Sequence, residues 1–507
     1  MSSNRLDRSA HGVDGRSDVV VLVAIAAAVA VFHLLTDGRY GFHRDELQFL
    51  ADARHLDWGF VEFPPLTPFV ERIGLSLFGV SLVGLRLFSV IAQAILILVA
   101  GLTARELGGG RLAQVVTALA VAFSPLPVFE ATEFQYTSFE MLWWVLIAYF
   151  VVRLLKSEDG RWWLAIGAVI GLGLETKYSI VFYVAGIVAG LLFTRARRYF
   201  ASGWFWGGVG IAVLVFLPNL IWLIRHDFIS YTFLQHIHAR DVRLGRAHGF
   251  WKGQLLYDAN LAAAPLWIAG LVGFVVSRRY RMLAWMYAVP VAILFAAKGR
   301  FYYTAGAYPM LLAMGAVIAE RWLRGLPRWG RVAVKSVWVA AFVFVSAVVC
   351  AQLMPIASSG PLKTYALRHS QDLREEIGWN ELVRTVAGIR DSLPADERAH
   401  LGITTGNYGE YGAIAILGRA YGLPEPIGTT NTEWYWGYPT PPPTTIIVLG
   451  LRREQADRIF TGCRLAGHNG NSLGVKNEES EYHPDIFVCG PPRLPWAELW
   501  KRHRDFG

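Results

Sequence analysis

VVVLVAIAAAVAVFHLL, residues 19–35, carries no charged side chain, and GFHRDELQFL, residues 41–50, follows it with His43, Arg44, Asp45 and Glu46 in a row. With its flanks the apolar run reaches the length that crosses a bilayer as a helix. The junction therefore reads as a membrane span that opens at once onto a charged surface. Two adjacent carboxylates at a membrane boundary are costly unless they face water, a cavity or a partner.

The rest of the chain agrees with that reading. Of its 507 residues 54% are hydrophobic and only 17% charged, against about 25% charged in soluble proteins; the mean hydropathy is +0.36. The pattern predicts a polytopic α-helical membrane protein with about eleven spans, at roughly 18–36, 82–104, 112–130, 136–154, 162–176, 178–194, 203–224, 258–277, 281–297, 302–322 and 333–354. The first run is not a cleaved signal peptide, because no small-residue cleavage site follows it and many further spans do.

The loops orient the chain. Arg105 and Arg111, Arg153 to Arg161, Arg195 to Arg198, Arg278 to Arg281, and Arg321 to Lys335 fall in every second loop. The positive-inside rule puts those loops in the cytoplasm. The N-terminal tail, 1–17, is then cytoplasmic, and the 37–81 loop, the 225–257 loop and everything after Pro355 are outside. The net charge of +9 sits in short loops rather than on one soluble face, which speaks against nucleic acid. The expected organisation is a transmembrane domain over 18–354, with 37–81 as its first outer loop, and a soluble extracytoplasmic α/β domain over 355–507. Within 37–81, DELQFLADARHL and PPLTPFVERIGLSLFG read as two short helices lying along the outer membrane surface. Within 355–507, Trp379 to Ile389 reads as a helix, HLGITTGNYGEYGA and TTIIVLGL as strand-like, and PTPPP as a loop.

The candidate chemistry lies on the outer side. Asp45 and Glu46 lead, with further acids at Glu62, Glu130, Glu133 and Glu140; Glu140, opening an apolar helix, is expected to be buried against protein. Outer bases at Lys177, Arg243, Arg246, Lys298 and Arg300 run against the positive-inside tendency and suit an anionic ligand, most simply a phosphate. The three cysteines include no CxxC, so neither a cysteine-built zinc site nor a dithiol motif is expected. Cys463 and Cys489 both fall in the outer region, where a disulfide persists; their pairing is left open, and Cys350 reads as a packing thiol. No metal site is expected: His236 and His238, two apart, do not share a helix face. No resident cofactor is demanded, and a divalent cation is left open. The chain has no phosphate-binding loop, Rossmann fingerprint or nucleophile elbow, so any outer chemistry needs a donor that is already activated.

RDELQFLADARHLDWGFVEFPPLTP after a first span closely resembles the first outer loop of the polyprenyl-phosphate-sugar-dependent glycosyltransferases. This bacterial group is similar to protein O-mannosyltransferases and lipid A aminoarabinose transferase and has the GT-C fold. LGLETKYSIVF, FLPNLIWLIRHDF, KGRFYYTAGAYPMLLA and NYGEYGAIAILGRAYGLPEPIGTTNTEWYWG resemble the same group in order, over nearly the whole chain. The resemblance implies a lipid-linked sugar phosphate held at the outer face of the cell membrane, with an acid of the DE pair as catalytic base. That position is Asp45, with Glu46 beside it. Basic side chains can stabilise the charge that grows on the leaving phosphate, and Lys298, Arg300, Arg243, Arg246 and Lys177 are the donor phosphate-binding candidates. Some relatives carry a second essential acid near the outer start of the fourth span; this chain departs from that pattern, and its nearest acids are Glu133 and Glu140. His55, Glu62, Tyr302 and Tyr303 are the acceptor-side candidates. Direct displacement with one carboxylate base predicts inversion at the anomeric carbon. The acceptor, whether glycan, lipid or protein, does not follow. A transporter or flippase of lipid-linked or anionic substrates is the alternative, though the inverted repeats such a fold favours are not visible. A non-catalytic scaffold or sensor with an outer binding domain is the third reading.

Overall fold

The computed structural model describes residues 3–246 and 248–507, with side chains from residue 17 onward, so the expected N-terminal tail, 1–17, lies almost wholly outside the described side chains. The chain forms two compact units: Met1–Thr36, Arg86–Ile221 and Asp241–Met354 make the first, and Asp37–Leu85, Trp222–Arg240 and Pro355–Gly507 the second.

The first unit is helical. Among the described residues six helices of the whole chain are long and apolar enough to cross a membrane: Ser17–Thr36, Leu82–Glu106, Tyr136–Ser157, Gly203–Arg225, Phe301–Arg324 and Arg328–Leu353. The number rises to nine if three bent pairs each make one span. These are Arg111–Ala122 with Pro125–Thr132 (58°), Ile180–Phe193 with Arg195–Ala201 (102°), and Phe250–Leu256 with Leu261–Val276 (89°). Helices Trp162–Leu174 and Arg281–Ala296 are apolar but only 13 and 16 residues long. Length and composition thus account for six to nine of the eleven expected spans. Hydropathy cannot tell a straight span from one broken at Ser124 or Thr194. Glycines bring the helices together, since small residues let backbones approach where lipid offers no hydrophobic drive. A Cβ on Gly270 would lie 1.9 Å from the Leu311 carbonyl oxygen, and one on Gly315 would lie 1.8 Å from that of Leu266. The crossing of Ala264–Val276 with Tyr308–Arg324 therefore admits only glycine at both positions. Trp144 and Tyr183 stack at 4.2 Å in the middle of this core.

The second unit holds a five-stranded mixed sheet: β1 (Leu401–Thr405), β2 (Ile427–Gly428), β3 (Thr445–Val448), β4 (Arg464–His468) and β5 (Asp485–Cys489). The order is β2-β1-β3-β5-β4. β1 runs parallel to β2 and β3, and β5 is antiparallel to β3 and β4. Cys463 and Cys489 form a disulfide beside β4 and β5, and Cys350 is free and buried in the first unit. Helix Trp379–Ser392 is as expected.

One expectation is corrected. The strand-like stretch HLGITTGNYGEYGA is strand only at β1. From Tyr408 to Leu417 it is helix, because Asn407 accepts from the Glu410 amide and caps the turn. Asp37–Leu85, which contains the expected first outer loop 37–81, clusters with this sheet. It contributes helices Arg44–Asp52 and Leu66–Phe78. The second of these turns Thr67, Glu71 and Gly74 inward and leaves Phe69, Ile73 and Leu77 at 52%, 40% and 66% exposure, the wrong way round for a helix in water. A Cβ on Gly412 would lie 2.4 Å from the Leu47 carbonyl oxygen. The missing side chain lets Tyr408–Leu417 lie directly against Arg44–Asp52.

Candidate active site

The DE pair opens helix Arg44–Asp52, and its two carboxylates do different work. His43 is the N-cap: its Nδ1 accepts from the Asp45 amide at 3.3 Å, while its own amide donates to Glu46 Oε2 at 2.8 Å. Glu46 completes a capping box and is fully buried. Asp45, one residue earlier, is half-buried, and its Oδ1 accepts from the Tyr408 hydroxyl at 3.0 Å. Arg44 locks the arrangement. Its guanidinium lies 4.8 Å from the centre of the Tyr408 ring, pairs with Glu478, and reaches Glu479 at 3.4 Å. The sequence offers the NYGEYG aromatics as sugar-stacking candidates and Arg44 as a flanking base, but names neither Tyr408 nor Arg44 as a partner of Asp45. The clue to Tyr408 was the Asn407-to-Glu410 capping spacing, which turns the NYGEYG stretch into a helix start.

Behind the pair lies a layer of buried acids. Glu62 accepts from Gln48 Nε2 at 2.7 Å and from the Thr432 hydroxyl at 2.5 Å, tying Arg44–Asp52 to the turn at 431–436. Burial first, then Glu62 and Glu433, pushes Asp52 well above the usual carboxylate range; Glu433 and Glu71 are raised for the same reason. Among the described residues the carboxyl groups of Asp52, Glu71 and Glu433 have no hydrogen-bond partner, an environment that disfavours the charged form. Glu410 is pushed up to about 8 by burial and then by the charge of Glu479. His55 stacks on Trp436 at 4.3 Å and lies 3.1 Å from the Ala51 carbonyl oxygen.

These raised values fix the sign of a pH dependence. Between an unfolded value of 4.5 and a folded value of about 8, the folded state holds the Glu410 proton and the unfolded state does not. Stability therefore falls as pH rises through that window, by about 1.4 kcal/mol per pH unit at most for one such group. The thermal unfolding midpoint is expected to drop by roughly 4 °C or more between pH 5.5 and 8.5, with a shallower slope in Glu410→Gln. Scanning calorimetry at the two pH values checks it; a midpoint that rises with pH contradicts it.

The phosphate-binding candidates all fall in the first unit. Lys177 follows helix Trp162–Leu174 and is boxed by aromatic faces: its Nζ lies 4.2 Å from the centre of Tyr136, 4.3 Å from Tyr303 and 5.6 Å from Tyr302. Glu140 is buried, as expected, accepts from the Ser179 hydroxyl, and stands 3.5 Å from the Lys177 ammonium. At that distance the contact is an ion pair with at most a weak hydrogen bond, and among the described residues the buried Nζ has no closer hydrogen-bond acceptor. Arg300 is bidentate to Asp241, at 2.6 Å and 2.9 Å, and donates to the Tyr302 hydroxyl at 3.0 Å. Arg246 meets the same Asp241 at 3.3 Å. Asp241, the carboxylate that gathers these two bases, was missed because it stands alone in the basic run HARDVR.

Lys298 and Arg243 are exposed. Tyr302 and Tyr303, expected on the acceptor side, stand at this cation cluster. A cavity of about 10 Å³, room for one water, lies against Glu130, Thr137, Glu140, Tyr302 and Tyr303. Glu130 accepts from the Thr137 hydroxyl, and Glu133 is buried where helix Pro125–Thr132 ends. Among the described residues no group of three or more His, Cys, Asp or Glu side chains is arranged to hold a metal ion.

Comparison with known proteins adds three findings. The model of the dolichyl-phosphate-mannose-protein mannosyltransferase family matches residues 62–222. The lipid A galacturonosyltransferase RgtD of Rhizobium johnstonii is 25% identical over 372 residues, covering 70% of this chain and 74% of RgtD. ArnT from Cupriavidus metallidurans bound to undecaprenyl phosphate superposes with a TM-score of 0.58 at 15% identity, over 93% of this chain and 97% of ArnT. Its apo form gives the same score at 14% identity.

Proposed function

We infer that this chain, a member of the GT-C group of polyprenyl-phosphate-sugar-dependent glycosyltransferases, moves a sugar from a polyprenyl-phosphate donor to an acceptor hydroxyl at the extracytoplasmic face, with inversion. The observation that carries the mechanism is the half-buried Asp45, fixed at a helix start and oriented by Tyr408. As the acceptor oxygen attacks the anomeric carbon, its proton passes to an Asp45 carboxylate oxygen. The bond from the anomeric carbon to the phosphate oxygen breaks, and the electron pair leaves with the lipid phosphate. That leaving group is already a stable anion, so no separate acid is needed. Glu46, spent on the capping box, positions Asp45 rather than sharing the proton.

Lys177 is assigned to the donor phosphate. Its ammonium is held by ring faces that attract a cation yet accept no conventional hydrogen bond, and its carboxylate neighbour Glu140 stands off at 3.5 Å, so it can still turn N–H groups toward an anionic oxygen. Arg300 and Arg246, steadied by Asp241, and the exposed Lys298 and Arg243 supply further positive charge against the phosphate as it departs.

RgtD is named for lipid A, and ArnT binds undecaprenyl phosphate. By analogy we assign this chain a polyprenyl phosphate donor of that kind and a glycolipid acceptor. Exposed Phe69, Ile73 and Leu77 on helix Leu66–Phe78 suit contact with the outer leaflet, where both substrates reside. Relatives that are transferases do not favour the transporter reading. Mass analysis of envelope glycolipids with and without the gene tests the assignment: one species is expected to lose a single sugar mass, and an unchanged glycolipid profile contradicts a glycolipid acceptor.

A further inference from the structure

At most basic turns of the first unit, carboxylates answer the bases. Arg111 pairs with Asp18, Arg153 and Lys156 with Glu106, and Arg324 with Glu320. Two turns differ. Glycines 186 and 190 let helix Ile180–Phe193 press against helix Arg281–Ala296: a Cβ on Gly186 would lie 2.8 Å from the Met286 Cα, and one on Gly190 2.6 Å from the Met282 Cγ. The end of one helix thereby stands beside the start of the other, where Phe193 meets Trp285 at 5.0 Å. A cavity of about 530 Å³ opens at this place, lined by Arg195, Arg197, Arg278, Arg281, Leu192 and Phe193, together with Thr194.

Among the described residues no carboxylate lines it. The nearby Glu158 is taken by Arg198 at 3.0 Å, and Arg281 donates its Nε to the Val275 carbonyl. Among the described residues the guanidiniums of Arg195, Arg197 and Arg278 have no ion-pair partner. A general excess of positive charge on one membrane face would set the count of bases. It would not gather four guanidiniums from two turns around one cavity and leave them uncompensated.

We propose that this cavity is a binding site for the headgroup of an anionic phospholipid in the leaflet that contacts the basic loops, remote in sequence from Asp45. The guanidinium fork matches phosphate oxygens two at a time. The N-terminus of Arg281–Ala296 adds a favourable partial charge. Leu192 and Phe193, at 54% and 66% exposure, offer the acyl chains an apolar wall directly beside the bases. A soluble anion would need the guanidiniums but not that wall, and an acidic protein would not need a cavity.

The test uses the full chain in phosphatidylcholine nanodiscs, with the thermal unfolding midpoint followed as phosphatidylglycerol or cardiolipin is titrated in. The wild type is expected to be stabilised at low lipid ratios, and Arg195→Gln/Arg197→Gln/Arg278→Gln/Arg281→Gln to need about tenfold more lipid or more. A control set at another basic turn, Arg321→Gln/Arg324→Gln/Arg328→Gln/Arg331→Gln, should respond as the wild type. Equal losses in the two sets would mean diffuse surface charge and overturn the site. The same stabilisation by inorganic phosphate or pyrophosphate alone would overturn the lipid assignment. The wild type alone provides a further check: native mass spectra from an equimolar mixture of phosphatidylglycerol and phosphatidylcholine should retain the anionic lipid, and equal retention of both contradicts the proposal.

Discussion

Asp45→Asn is expected to lower the turnover of sugar transfer by about 10²- to 10⁴-fold, the usual worth of a positioned general base, with little change in donor KM. The substitution is close to isosteric. The asparagine Oδ1 can still accept from Tyr408, and the helix start at Arg44–Asp52 keeps its His43 cap and its buried Glu46. The loss should therefore appear as kcat rather than as misfolding. Glu46→Gln is the matched control. A glutamine at the third helical position can still close the capping box, so activity should stay within a few-fold of wild type. Tyr408→Phe removes one hydrogen bond worth about 1 kcal/mol and should cost less than Asp45→Asn. A wild-type rate in a folded Asp45→Asn protein would sink the assignment, and so would equal losses in Asp45→Asn and Glu46→Gln.

Lys177→Met is expected to weaken donor binding by about 10- to 150-fold, the loss of one hydrogen bond between a charged group and the phosphate. Methionine fills much the same space among Tyr136, Tyr302 and Tyr303 but carries no charge. The substitution also leaves the buried Glu140 without its cation, 3.5 Å away in the wild type, so the single variant loses stability as well. Lys177→Met/Glu140→Gln separates the two effects. It should recover the unfolding midpoint and leave the donor KM high. If the double variant binds donor as the wild type does, Lys177 serves only to neutralise Glu140.

The acids at the membrane boundary were legible because the boundary itself was. An uncharged run from Val19 to Leu35 ending at a DE pair is a local pattern, and hydropathy needs only local sequence. The number of spans was less legible. Ile180–Phe193 turns by 102° into Arg195–Ala201, and a bend of that kind leaves the apolar count unchanged. What stood furthest from the sequence was the company Asp45 keeps. Tyr408 lies 363 residues away, brought in by a helix that Asn407 starts and Gly412 lets come close. Arg44 was visible as a flanking base, but not as the buried cation that joins Tyr408 to Glu478 and Glu479. In the sequence the 37–81 loop goes with the spans because it lies between two of them. In the structure it clusters with the C-terminal sheet, as Glu62 with Thr432 and His55 with Trp436 illustrate. Lone residues in charged runs were the other gap. Asp241 reads as one acid among bases until its two oxygens are seen on Arg300.

The central claim is direct, inverting displacement of a lipid phosphate. The measurement that bears on it most closely follows purified full-length protein in detergent with a polyprenyl-phosphate sugar and a glycolipid acceptor fraction, reading donor consumption and the anomeric configuration of the product by NMR. One polyprenyl phosphate released per sugar transferred, with the anomeric configuration opposite to the donor's, is the predicted result. A product that retains the donor's configuration, or a donor left intact by folded protein supplied with its acceptor, would contradict the account.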